Sequence, residues 1–97
     1  MIQADVLARY YRQLNRDVFF LTGTDEHGVK IFRQAAAAGK SVQELVDENS
    51  RKFKTLAEVL NISYTDFIRT TDQKRHWPAV QKIWSTLDKK GDIYKGK

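Results

Sequence analysis

Four consecutive apolar residues, Val18, Phe19, Phe20 and Leu21, lead almost directly into a glycine-bracketed polar turn, Gly23-Thr24-Asp25-Glu26-His27-Gly28. A strand with one wet face alternates apolar and polar side chains, whereas an unbroken apolar run suits a strand covered on both faces of a parallel sheet. Such a strand needs a partner strand and covering helices, so the chain is predicted to be α/β, with short parallel strands flanked by helices. The polar turn then falls at the carboxyl end of the sheet, where open α/β sheets bind their ligands.

The glycine spacing of that turn invites comparison with a phosphate-binding P-loop, which requires Lys and then Ser or Thr straight after the second glycine. Here Val29 follows Gly28 and Lys30 comes one place late, so the comparison fails. Asp25 and Glu26 also repel phosphate, and their charge suits an ammonium group, a hydroxyl donor or a metal. For a metal the ligands run short, because the only other histidine is the distant His76 and the chain has no cysteine. Thr24 or Asp25 can alternatively serve as the cap of a helix starting near Gly28.

Along the rest of the chain, Ile2, Val6, Tyr10 and Leu14 recur four apart, with Leu7 and Tyr11 beside them. This predicts an amphipathic helix from Ile2 to about Leu14, ended by Asn15-Arg16. It has no capping residue ahead of its first turn, as if it were the tail of a longer helix. A short alanine-rich helix is predicted over Val29 to Ala38, closed by Gly39. Ser41-Val42-Gln43-Glu44 has the form of a capping box opening a long helix that ends at Asn61. Val42, Leu45, Val46, Phe53, Leu56 and Leu60 hold its apolar period, and Asp47, Glu48, Arg51, Lys52 and Lys54 form the expected solvated face. Phe67-Ile68 reads as a second short strand, reaching the turn Arg69-Thr70-Thr71-Asp72. That turn either faces the same crevice as Asp25 or caps the next helix through Thr71 or Asp72. Pro78 sets the start of a last helix, with Val80, Ile83, Trp84 and Leu87 as its buried stripe and Gly91 as its end. Asp92-Ile93-Tyr94 resumes an extended segment.

Length allows one domain at most in these 97 residues. Seventeen Lys and Arg against 12 Asp and Glu give a net charge of +5, spread along the chain rather than gathered into a nucleic-acid motif. The lack of cysteine excludes disulfides and suits a reducing compartment, so the expected location is cytoplasmic. No apolar stretch approaches the length of a membrane span, and no membrane partner is expected.

Three phrases carry a specific resemblance: Gln3 to Tyr10, Asp17 to Gly28, and Asn61 to Asp72. In that order, together with the ending Lys90-Gly91-Asp92-Ile93-Tyr94-Lys95, they resemble the methionyl-tRNA synthetases over essentially the whole chain. The resemblance implies a class I aminoacyl-tRNA synthetase with a Rossmann-type catalytic domain. Its substrates would be methionine, ATP and tRNA, with Mg2+ expected in the intact enzyme. By the same resemblance Asp25 contacts the α-amino group of methionine, while Thr24, Glu26 and His27 belong to the vicinity of the pocket; no catalytic residue and no metal ligand is assigned.

The family's His-x-Gly-His signature, its KMSKS loop, its zinc-binding insertion and its anticodon-binding helices are missing from this sequence. Residues 1–97 are therefore expected to be a fragment of the catalytic nucleotide-binding domain, inactive alone and completed by the rest of a synthetase chain. An open sheet edge makes self-association a further expectation. The competing interpretation is a non-catalytic basic α/β module for binding or assembly.

Overall fold

The structure, a computed structural model, describes residues 1–96. Its elements follow the order α1 (Ile2–Gln13), β1 (Leu21–Thr24), α2 (Val29–Ala37), α3 (Val42–Val59), β2 (Asp66–Arg69) and α4 (Trp77–Lys90). The two strands pair in parallel, with Leu21 opposite Asp66 and Thr24 opposite Arg69, so the α/β expectation holds.

Every helix ends where a residue able to take up the left-handed conformation is available. Asn15, Gly39, Asn61 and Gly91 all have positive φ. In each case the next amide reaches back over the final turn: Arg16 N to Tyr11 O, Lys40 N to Ala35 O, Ile62 N to Ala57 O and Asp92 N to Leu87 O. These bonds satisfy carbonyls that would otherwise lack a partner at the helix ends. The capping box of α3 is also formed, with Ser41 Oγ accepting from Glu44 N and Glu44 Oε2 accepting from Ser41 N.

The first strand lies three residues further on than the apolar run suggests. Val18 to Phe20 are outside the ladder, and the strand is Leu21 to Thr24. The reason is the partner: β2 begins only at Asp66, and ahead of it the Thr65 hydroxyl takes the Phe20 amide at 3.0 Å. Gly23 and Thr24 thus belong to the strand, and the turn proper is Asp25 to Gly28.

The expected apolar stripes are largely unburied. The core is small: Ala35, Val46 and Ala57 where α2 packs on α3, with Ala8 of α1 and Phe20 ahead of the strand as its other buried apolar members. On α3 the sunken positions are Val46, Ser50 and Ala57, whereas Val42, Phe53, Leu56 and Leu60 are exposed. On α4 the predicted stripe Val80, Ile83, Trp84 and Leu87 is exposed, with Trp84 at 61%, because no other described element packs extensively on it. On α1 the stripe faces outward, and Asp5 and Ala8 face in.

A polar network accounts for that orientation of α1. Asp5 Oδ1 accepts from the Ser63 amide (2.7 Å) and hydroxyl (2.6 Å), and Arg9 Nε donates to its other oxygen at 2.7 Å. Arg12 donates to the Ser63 carbonyl and hydroxyl, at 2.9 and 2.6 Å. The Ser63 hydroxyl, helped by Arg9 and the Ser63 amide, holds the Asp5 carboxyl down to about 2. A depressed carboxyl contributes stability above its unfolded value of about 4 and loses it as pH falls through its folded value. In the full-length protein, Asp5→Asn is therefore expected to lower the melting temperature at neutral pH. It should also flatten the loss of stability between about pH 4 and 2. An unchanged acid limb in a pH series of thermal melts would contradict this.

Candidate functional site

The two strands deliver two turns side by side, residues 25–28 after β1 and 70–72 after β2. Parallel register is what brings them together, since Thr24 and Arg69 share the last rung. Hydrogen bonds then lace the turns: Thr70 N donates to Thr24 O (3.2 Å), and Glu26 N donates to Thr70 Oγ1 (2.9 Å). The Thr70 carbonyl accepts from Trp77 Nε1 at 3.1 Å and lies 3.2 Å from His27 Nε2. A carbonyl can only accept, so that histidine nitrogen carries the proton.

Glu26 is the centre of this lacing. It is only 4% exposed, and its carboxylate accepts from Thr24 Oγ1 (2.8 Å), Arg69 Nε (2.7 Å) and the Thr71 hydroxyl. Arg69 reaches on through Nη2 to Asp47 Oδ1 at 2.6 Å, tying the turns to α3. Burial alone would raise the Glu26 carboxyl, but the bonds from Arg69, Thr71 and Thr24 outweigh it and leave the group below its usual range. Arg69 shifts the opposite way, upward, chiefly through its bond to Glu26. The group is therefore an ionised, fully paired carboxylate, the form in which a buried charge is tolerated.

Asp25 differs in every respect. Its neighbours Thr24 and Glu26 are buried, its own side chain is exposed, and among the described residues its carboxylate accepts only from the His27 amide, at 3.3 Å. Neither Asp25 nor Thr24 caps α2, contrary to the capping alternative: Gly28 occupies the cap position, and Thr24 donates to Glu26 instead. Asp72 does act as a cap, but for the turn ahead of α4, accepting from the Lys74 and Arg75 amides at 2.9 Å each. Asp47, expected on the solvated face of α3, is half-buried and paired with Arg69.

Chemically, the arrangement presents the exposed Asp25 carboxylate, which among the described residues meets no cationic side chain, on a braced turn at the carboxyl end of the sheet. Hollows lie between α1 and residues 18–21 and along α3, and Asp25 lines none of these. Among the described residues no three His, Cys, Asp or Glu converge as a metal site.

A family model described as tRNA synthetases class I (M) matches residues 1–97. The chain belongs to this family. Relatives agree: it is 48% identical over 96 residues to the methionine–tRNA ligase of Brucella suis and 55% identical over 95 residues to that of Ureaplasma parvum. These matches cover 99% and 98% of this synthetase chain but 18% of each relative's length. Among solved structures, the methionyl-tRNA synthetase of Mycobacterium tuberculosis bound by methionyl-adenylate superposes with a TM-score of 0.90 at 47% identity. It covers 94% of this chain, which spans 18% of that protein. The fold is thus that of part of a class I synthetase catalytic domain.

Proposed function

We propose that this chain is the part of a methionine–tRNA ligase catalytic domain that grips the α-amino group of methionine. One observation carries the reading: Asp25 is an exposed carboxylate with no charged partner among the described residues, just past the carboxyl end of a parallel strand, in a chain of this family. An ammonium entering a half-buried pocket has to be paired, and a fixed carboxylate is a fitting partner. With the amine held, the methionine carboxylate is aimed at the α-phosphate of ATP for in-line attack with release of pyrophosphate. The methionyl group then passes to tRNA. Reactions of this kind depend mainly on positioning and charge stabilisation. Thr24 and His27 border the amine site. The methionyl-adenylate held by the Mycobacterium tuberculosis relative supports methionine and ATP as co-substrates.

Mg2+ accompanies ATP in the intact enzyme on this reading, and among the described residues no three metal-ligating side chains converge to hold it by themselves. The remainder of the synthetase chain supplies the ATP-contacting elements and the other pocket walls. It also covers the outward apolar faces of α1 and α4 and the open edges of the two-stranded sheet. Without that cover, self-association through a sheet edge is the expected behaviour. No described helix is long and apolar enough to cross a membrane, and the cysteine-free sequence suits the reducing cytoplasm.

Methionine-dependent exchange of pyrophosphate into ATP tests the proposal. The full-length protein is expected to catalyse it, and the 97-residue chain alone to form no methionyl adenylate. Exchange driven by another amino acid and not by methionine would overturn the assignment of substrate. Adenylate made by the isolated chain would overturn the assignment of ATP binding to elements outside it.

A further inference from the structure

We infer that Glu26 is a positioning residue for amine recognition, acting through Asp25 and not by touching methionine itself. The inference rests on the role proposed for Asp25 and concerns what sets that residue's direction. Glu26 is poorly placed to hold a ligand, since it is only 4% exposed and both of its carboxylate oxygens already accept bonds from Thr24, Arg69 and Thr71 inside the protein. What it does have is leverage. Thr24 and Glu26 flank Asp25 in sequence and both turn inward, so the residue between them is directed outward. The Glu26 amide donates to the Thr70 hydroxyl and the Thr70 amide to the Thr24 carbonyl, and these bonds hold the two ends of that short segment.

The brace extends beyond the turn. Arg69 joins Glu26 to Asp47 on α3, so the direction of Asp25 is referred to a helix and not only to a loop. Without the Glu26 carboxylate, the Thr24 and Thr71 hydroxyls and one side of the Arg69 guanidinium lose their common partner. The segment around Asp25 then keeps only its bonds to Thr70 and loses its tie to β2 and α3 through Arg69, and a carboxylate displaced by about 1 Å loses much of its value for orientation.

The test is a double-mutant cycle in the full-length ligase. Glu26→Ala is expected to raise KM for methionine about 10- to 100-fold, with KM for ATP nearly unchanged. Glu26→Gln, which keeps the shape and some of the bonds, should recover much of that loss and guards against a variant that fails to fold. A purely structural role would add the same penalty whatever residue stood at position 25. A role exercised through Asp25 predicts that Glu26→Ala costs little once Asp25→Ala is already present. Additive effects, or an unchanged methionine KM in Glu26→Gln and Glu26→Ala alike, would overturn the inference while leaving the role of Asp25 intact. An Asp25→Ala enzyme with undiminished methionine use would instead overturn the reading on which it rests.

Discussion

Asp25→Ala in the full-length ligase is expected to lower kcat/KM for methionine by about 30-fold to a few thousand-fold, the rate equivalent of about 2–5 kcal/mol. That range is the usual loss when one member of a buried, hydrogen-bonded charge pair is removed and the other is left unpaired. Both constants should move. KM rises because the ammonium loses its partner, and kcat falls because an untethered methionine presents its carboxylate to phosphorus less often in line. Asp25→Asn keeps a hydrogen-bond acceptor without the charge and should fall between wild type and alanine. Pyrophosphate exchange at varied methionine concentration separates the two constants, and an Asp25→Ala enzyme with wild-type values would contradict the assignment.

The second large effect is structural and falls on Gly23. A Cβ at this position would lie 2.0 Å from the Ile68 carbonyl oxygen and 3.0 Å from the Ile68 carbonyl carbon. The obstacle is backbone of the paired strand, which cannot swing aside as the end of a side chain can. Gly23→Ala must therefore push β1 and β2 apart at the rung before the site. Overpacking of this kind destabilises by about 1–3 kcal/mol. Because the displaced Gly23–Ile68 rung adjoins the one that carries Thr24 and Arg69, methionine use should suffer along with stability. Gly28 makes a useful contrast, since a Cβ there meets nothing within 4 Å and the difficulty is only its φ of +120°. Thermal melts and methionine KM of the Gly23→Ala enzyme check both parts, and wild-type behaviour in both would exclude the close strand approach.

The helix ends were legible in the sequence because local chemistry decides them. Asn15, Gly39, Asn61 and Gly91 end helices, and Ser41 with Glu44 begins one, whatever lies further away. Burial was less legible, because it depends on partners. Periodicity marks Val6, Tyr10, Ile83 and Trp84 as apolar faces, but cannot say that α1 docks through Asp5 and Ala8, or that α4 has little to dock on. The strand offset has the same origin: apolar character begins at Val18, but pairing begins where β2 can meet it.

At the site, the turn and its position after a strand follow from the pattern around Gly23 and Gly28. The division of labour between adjacent carboxylates does not. Asp25 and Glu26 are equally acidic in sequence, and only Arg69, Thr71 and Thr24 closing on one of them separates a braced, buried anion from an exposed one. A hint exists in the short polar run Arg69-Thr70-Thr71 at the end of a second strand, which supplies donors where parallel pairing would deliver them to the first turn.

The most direct test compares binding of methionine with binding of the same molecule lacking its amino group, in the wild-type full-length ligase and in its Asp25→Ala variant. If Asp25 grips the ammonium, the wild-type enzyme strongly prefers methionine and the variant binds the two compounds at near parity. A preference for methionine that survives intact in Asp25→Ala would contradict that grip.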